Sequence, residues 1–166
     1  MTYQEESTII LITEAGIKPT GKDKFEGKIF NSSNFKIYIL KHGNDYLYVG
    51  KTKQKIGTKF QQGFRSYKYD LANNRQAGYG GYKWIKKFIN TQVSLQLFVY
   101  DFETIKEENH IEAVEAEIAY AIRKSTNKWP LWQNEIHFYN DFENFKDAKN
   151  VANELFEKTK ANIKTS

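Results

Sequence analysis

The chain reads as an α+β domain built on a small sheet of three strands, antiparallel or mixed, flanked by helices. Three observations predict this. Runs rich in β-formers or alternating in hydropathy occur at 36–40, 46–50 and 93–99. Apolar residues recur every three or four positions near 56–64, 85–89, 111–122 and 145–156. The resulting order, β-β-α-α-β-α-α, lacks the strict alternation of a parallel α/β sheet.

The elements follow in order. Residues 1–34 stay ambiguous: Ile9-Ile-Leu-Ile12 is apolar and Lys18-Pro-Thr-Gly-Lys-Asp23 reads as a turn, so they are set apart as an N-terminal extension. Lys36-Ile-Tyr-Ile-Leu40, the turn His42-Gly-Asn-Asp45 and Tyr46-Leu-Tyr-Val-Gly50 make a hairpin signal. Thr52 could cap a helix that carries Ile56, Phe60 and Phe64 on one face. Residues 73–81, with Asn73-Asn74 and three glycines, read as a loop. Ile85, Phe88 and Ile89 mark a second helix. Val93, Leu95, Leu97 and Val99 alternate, as in a strand with one buried face. Ile111, Val114, Ile118 and Ile122 mark a third helix, ended by Trp129-Pro130. Residues Glu135 to Tyr139 suggest a further short strand. Asn140 or Asp141 would cap a last helix with Phe145, Ala148, Ala152 and Phe156 on one side. The division is an extension (1–34), a central domain (35–138) and a C-terminal helix packed on it (139–166).

At 166 residues, 40% hydrophobic and 16% aromatic, one domain with a substantial core is expected. No apolar run approaches bilayer length, and Met1-Thr-Tyr-Gln-Glu-Glu6 lacks the basic start and apolar stretch of a signal peptide. A cytoplasmic protein with no membrane partner is the expectation. The absence of cysteine excludes disulfides and thiolate metal sites. His42, His110 and His137 are too scattered to suggest a histidine-rich zinc site. His42 reads as a turn residue, His110 as a helix-start residue and His137 as a structural one.

The net charge of +5 and pI of about 9.1 conceal an asymmetry. From Lys51 to Lys87 there are ten Lys or Arg against one acid, Asp70. From Asp101 to Ala121 there are seven acids against one Lys. A basic middle suits a polyanion, because each phosphate contact releases counterions. It could equally be a solvated face, but it also carries Phe60, Phe64, Tyr67, Tyr69, Tyr79, Tyr82 and Trp84. Cations interleaved with rings favour nucleic acid.

Lys36-Ile37-Tyr38 followed by Tyr48-Val49-Gly50-Lys51-Thr52 resembles the paired signature strands of the GIY-YIG nuclease domain, with Lys where the first segment has Gly. Val114-Glu115-Ala-Glu-Ile118 resembles that family's glutamate helix, and Trp129-Pro130-Leu-Trp-Gln133 its closing Pro-x-x-Asn segment, with Gln for Asn. The resemblance spans roughly 35–138. It implies a GIY-YIG-like α/β sandwich and a DNA endonuclease that uses Mg²⁺ or Mn²⁺. Tyr38 would be the general base, Tyr48 would orient the water or support the base, and Glu115 would hold the metal. The arginine that the family places on the next helix falls by spacing on Lys59; the nearest arginine is Arg65. The usual histidine falls on Gly63. Lys59 and Arg65 both remain candidates, and Gly63 between them could bend or end the helix.

The chemistry is consistent with those residue types. Phosphodiester hydrolysis needs an activated water, stabilisation of developing charge and help for the leaving oxygen. A phenol serves as base only if a cation such as Lys51, Lys59 or Arg65 favours its phenolate. At about 100° per residue, Glu115 falls about 40° from Ile111, inside the stripe of Ile111, Ile118 and Ile122. A carboxylate there must be paired or bind metal, so a structural salt bridge stands beside the metal site. Both tyrosines could also be ordinary strand residues. Lys51, Lys53, Arg75, Tyr79 and Lys83 are candidate contacts to double-stranded DNA, and Gln133 a residue that holds backbone near the site. Recognition would come from the 73–81 loop, the two ends of the chain or a homodimer. A DNA-binding module on the same scaffold, with weak or lost cleavage, is the alternative.

Overall fold

The computed structural model describes residues 1–75, 82–133, 136–138 and 145–163. Among them, β1 (Gln4–Thr13), β2 (Gly16–Pro19), β3 (Phe35–His42), β4 (Asp45–Thr52) and β5 (Leu95–Phe102) form one sheet in the order β2-β1-β5-β3-β4. Every pairing is antiparallel. The helices are α1 (Ile56–Ala72), α2 (Lys83–Phe88), α3 (Glu108–Thr126) and α4 (Ala148–Thr159). The α+β class agrees with the sequence reading; five strands replace the three expected. The added pair is β1 and β2, from the stretch set apart as an extension. Charged and polar residues at its start hid its periodicity, because Gln4 and Glu5 lie exposed while Ile10 and Ile12 are buried.

The position of β5 explains a second difference. It lies between β1 and β3, with layers on both faces. Leu95, Leu97 and Val99 face a cluster containing Ile10, Ile12, Phe25, Tyr38, Ile56, Phe60 and Trp84. Phe98, Tyr100 and Phe102 face another, with Ile111, Val114, Ile118, Leu155 and Phe156 from α3 and α4. The strand is therefore buried on both sides, not on one. The α4 layer is tied to the sheet by Lys41, whose buried ammonium donates to the Thr159 carbonyl at 2.6 Å, and by Tyr46, 2.9 Å from the Thr159 hydroxyl.

Local chemistry sets the boundaries. Gly43 adopts φ 57° in the β3–β4 turn, a conformation glycine takes without a Cβ penalty. Thr52 closes β4 and accepts from the Gln54 amide at 3.0 Å, whereas α1 starts at Ile56 with Lys55 at its cap; the expected cap is a turn residue instead. Asn127, at φ 60°, ends α3 in the left-handed conformation before the Trp-Pro pair is reached. Residues 136–138 carry no strand, and the rest of that expected strand, with Asn140 and Asp141, lies outside the described residues. Asp147 precedes α4 instead. Phe145 sits before the helix, its ring 5.1 Å from that of His110.

Burial pushes the Tyr100 phenol far above its ordinary range and raises that of Tyr46. Unfolded, both would ionise near pH 10. Their contribution to stability is therefore complete below that pH and is lost as pH rises toward the folded values. Tyr100→Phe should reduce the alkaline loss of stability by about 1.4 kcal/mol per pH unit above pH 10. Urea unfolding at stepped pH measures it; an unchanged slope would refute the assignment.

Candidate functional site

The site is organised by a β-bulge in β4. Leu40 pairs with Tyr48, but Lys41 pairs with Tyr46, leaving Leu47 as an extra residue. In a regular strand Tyr46 and Tyr48 would share a face. Here Tyr46 faces the α3–α4 layer and Tyr48 the α1 layer. Tyr48 thereby joins Tyr38, their ring centroids 5.9 Å apart. Bulges re-aim side chains in this way.

Gly50 makes room for the pair. A Cβ there would lie 2.5 Å from Tyr38 Cζ and from its hydroxyl oxygen, and 2.7 Å from Tyr48 Cε1. Phe60 of α1 meets the Tyr38 ring edge-on at 5.6 Å, and Trp84 of α2 meets Phe60 at 5.7 Å. The two tyrosines are held on all sides, at 2% and 3% exposure.

The edge of β4 is clasped by the segment after Pro130. The amides of Leu131 and Trp132 donate to the carbonyls of Tyr46 and Leu47 at 3.0 and 2.9 Å. Gln133 then continues the ladder with its side chain. Its Oε1 accepts from the Val49 amide at 3.0 Å, and its Nε2 donates to the Val49 carbonyl at 3.1 Å. A primary amide presents the donor and acceptor that a neighbouring strand would present. Val49 stands between Tyr48 and Gly50, so this clasp fixes the backbone from which the site is built.

The charged groups gather around α3, which packs on β4. Lys51 turns toward α3 and pairs with Glu108 and, at 2.7 Å, with Glu112. Burial opposes its charge, but the two carboxylates outweigh burial and hold its pKa above the ordinary value. Glu115 is half-buried. Burial, helped by the nearby Glu112, pushes its carboxyl up to about 7, against the pull of Lys51 and Lys59. Lys59 on α1 and Glu115 on α3 are thus within electrostatic reach. Its ammonium also lies 5.8 Å from the centre of the Tyr82 ring.

The remaining residues singled out in the sequence are spread more widely. Arg65 is exposed, and α1 runs unbroken past Gly63, so glycine does not end it. Gly63 is buried instead because the Tyr82 ring fills the space a side chain would take. Lys53 is exposed, its ammonium 4.1 Å from the centre of the Phe35 ring. Arg75 and Lys83 line a separate cleft. Tyr79 lies outside the described residues. His42 is exposed beside the turn, His110 reaches Asp147 at 3.0 Å, and His137 is exposed. Lys36 is fully buried and donates to the Ser32 and Asn34 carbonyls at 2.8 and 3.0 Å. Burial lowers its pKa, and Asp101, its partner across β5, opposes that. The sequence reading missed Glu112, Gly50 and Tyr82. Gly50 stood inside the β-forming segment Tyr46–Gly50; nothing at Tyr82 signalled that it would fill the Gly63 notch.

Among the described residues no three acidic or histidine side chains cluster to hold a metal. Magnesium commonly uses one or two carboxylates, with water and phosphate oxygens completing the shell. Glu115, a half-buried acid within electrostatic reach of Lys51 and Lys59, has the chemistry for that role. Among the described residues no helix is long and apolar enough to cross a membrane. No family model, no curated protein and no solved structure matches the chain, so the reading of this site rests on its own geometry.

Two substitutions test the architecture. Gln133→Leu should cost about 1–3 kcal/mol, because it strands the amide and carbonyl of Val49, and should speed hydrogen exchange at the Val49 amide. Gly50→Ala should cost a similar ~1–3 kcal/mol through overpacking against the tyrosines. Wild-type exchange at Val49 in the Gln133 variant would show that the clasp is dispensable.

Proposed function

We propose that this protein binds DNA and hydrolyses its phosphodiester backbone with a divalent metal, on a GIY-YIG-like scaffold. Two groupings at the end of the sheet carry the reading: Tyr38 and Tyr48 packed over Gly50 on the α1 side, and Glu115 of α3 within electrostatic reach of Lys51 and Lys59. The order of motifs along the chain adds support. In this reading Tyr38 takes a proton from the attacking water, and Tyr48 orients it. Lys59 stabilises charge on the phosphate, and Gln133 fixes the strand that carries Tyr48. Glu115 would hold Mg²⁺ or Mn²⁺, which supplies charge stabilisation at the phosphate and the leaving oxygen. Lys53, Arg65, Arg75 and Lys83 would contribute phosphate contacts. The reading places the protein in the cytoplasm and leaves homodimerisation open.

A second reading is a DNA-binding module without cleavage. The near-complete burial of both tyrosines favours it, as does the absence of arginine and histidine at positions 59 and 63.

Nicking of supercoiled plasmid in Mg²⁺ separates the two. Under the first reading the wild type nicks, and Glu115→Gln abolishes nicking while DNA binding persists. Wild-type nicking by that variant would remove Glu115 from the chemistry. No nicking by the wild type in Mg²⁺ or Mn²⁺, with salt-sensitive DNA binding intact, would establish the module.

The roles of the two cations can be tested the same way. Lys59→Ala should lose nearly all cutting, Lys59→Arg should keep or raise it, and Arg65→Ala should mainly weaken binding. Loss of cutting in Arg65→Ala at saturating DNA, with normal cutting in Lys59→Ala, would reverse the roles.

A further inference from the structure

Between the later turns of α1 and helix α2 lies a cleft of about 860 Å³. Three half-buried rings, Tyr67, Tyr82 and Trp132, line it. Each is braced from behind. Trp132 meets Phe88 edge-on at 6.0 Å, and Tyr67 leans on Phe64 at 6.3 Å. Tyr82 is seated against Gly63, where a Cβ would collide with it. Among the described residues, the cleft also carries Arg75, Lys83, Lys86 and Lys87, all exposed, against a single acid, Asp70. Neither tyrosine of the pair over Gly50 lines it.

The two halves of this lining select a ligand. Four cations beside one carboxylate favour a phosphate. Braced aromatic walls in a hollow favour a flat, weakly polar ring. Inorganic phosphate would leave the walls unused. A DNA duplex offers phosphates but keeps its bases stacked inside. A strand with an unstacked base offers both parts together, and stacking on aromatic side chains accepts any base because each has a π face. We propose that this cleft takes an unpaired nucleotide of a DNA strand, its base among Tyr67, Tyr82 and Trp132 and its phosphate on the cations. The inference deepens the proposed function and rests on it for the identity of the polyanion: the substrate is DNA that is single-stranded where it meets the protein. Tyr82 joins the two regions, because its ring lines the cleft and also lies beside the Lys59 ammonium.

The test is binding by the full chain in EDTA, which keeps cutting out of the measurement. Fluorescence anisotropy compares a labelled oligothymidylate, an abasic strand of equal length and a duplex of equal length, with thymidine monophosphate as competitor. The thymine strand should bind roughly ten-fold tighter than the abasic strand, within the range for one base stacked on aromatic side chains, and tighter than the duplex. Tyr82→Leu should remove that preference and Tyr82→Phe retain it; should Tyr82→Leu not fold, Tyr67→Leu makes the same test. Lys86→Ala should weaken both strands alike and reduce the salt slope. Equal affinity for the thymine and abasic strands, or tighter binding of duplex, overturns the proposal. Displacement of the strand by thymidine monophosphate at equal concentration would assign the cleft to a free nucleotide and overturn it as well. Plasmid nicking in Mg²⁺ is a separate readout, so failure here is distinguishable from failure of the nuclease reading.

Discussion

The extra residue at Leu47 decides which side chains share a face at the end of the sheet. Without it Tyr48 would point with Tyr46 into the α3–α4 layer, and Tyr38 would stand alone over Gly50. A bulge breaks the ladder locally and weakens an edge strand that already lacks a neighbour on one side. The segment 131–133 offsets that weakness. It pairs with Tyr46 and Leu47 through backbone and with Val49 through the Gln133 amide. The bulge and the clasp are therefore complementary: one aims the tyrosine, and the other restores the hydrogen bonds that aiming it disturbs.

The same edge position explains how opposite charges come together. An inner strand is covered on each face by one layer, and the two layers never meet. At the outer strand β4, α3 packs on one face, and its Glu115 is within electrostatic reach of Lys59 on α1. Lys51 belongs to the α3 face by alternation, which is why it pairs with Glu108 and Glu112. Lys59 approaches from α1. Glu115 feels both, yet burial and Glu112 still keep its carboxyl near 7. A carboxylate in that condition gains by acquiring a cation partner, which neither lysine fully supplies.

Much of this was legible in the sequence. Alternation placed β3, β4 and β5 and the turn between the first two, and helical periodicity placed α1, α2 and α3. The resemblance of four short segments to one family's motifs brought Tyr38, Tyr48, Glu115 and Gln133 into one account. The bulge was not legible, because an inserted residue leaves no mark on composition; a regular count along Tyr46-Leu-Tyr-Val-Gly50 gives the wrong face for one tyrosine or the other. β1 and β2 were obscured because their polar residues lie on the exposed part of the sheet while their apolar residues meet a core supplied by distant segments. The buried Lys36 was equally silent: its ammonium is held by carbonyls of Ser32 and Asn34, a backbone cradle that no residue pattern announces.

Gly63 shows how a helix position without a side chain can be compensated elsewhere in the chain. A helix position that carries no side chain, in the middle of α1, would cost stability if left empty, both through backbone entropy and through a void. Tyr82 fills the void from outside the helix. Its ring then borders Lys59 one turn earlier on α1, where an ammonium gains modestly from the face of an aromatic. A lysine is a flexible point charge, whereas arginine's planar fork is pre-organised for phosphate. The same ring lines the basic cleft, so the residue that compensates for the glycine also stands between the cations of α2 and Lys59 on α1.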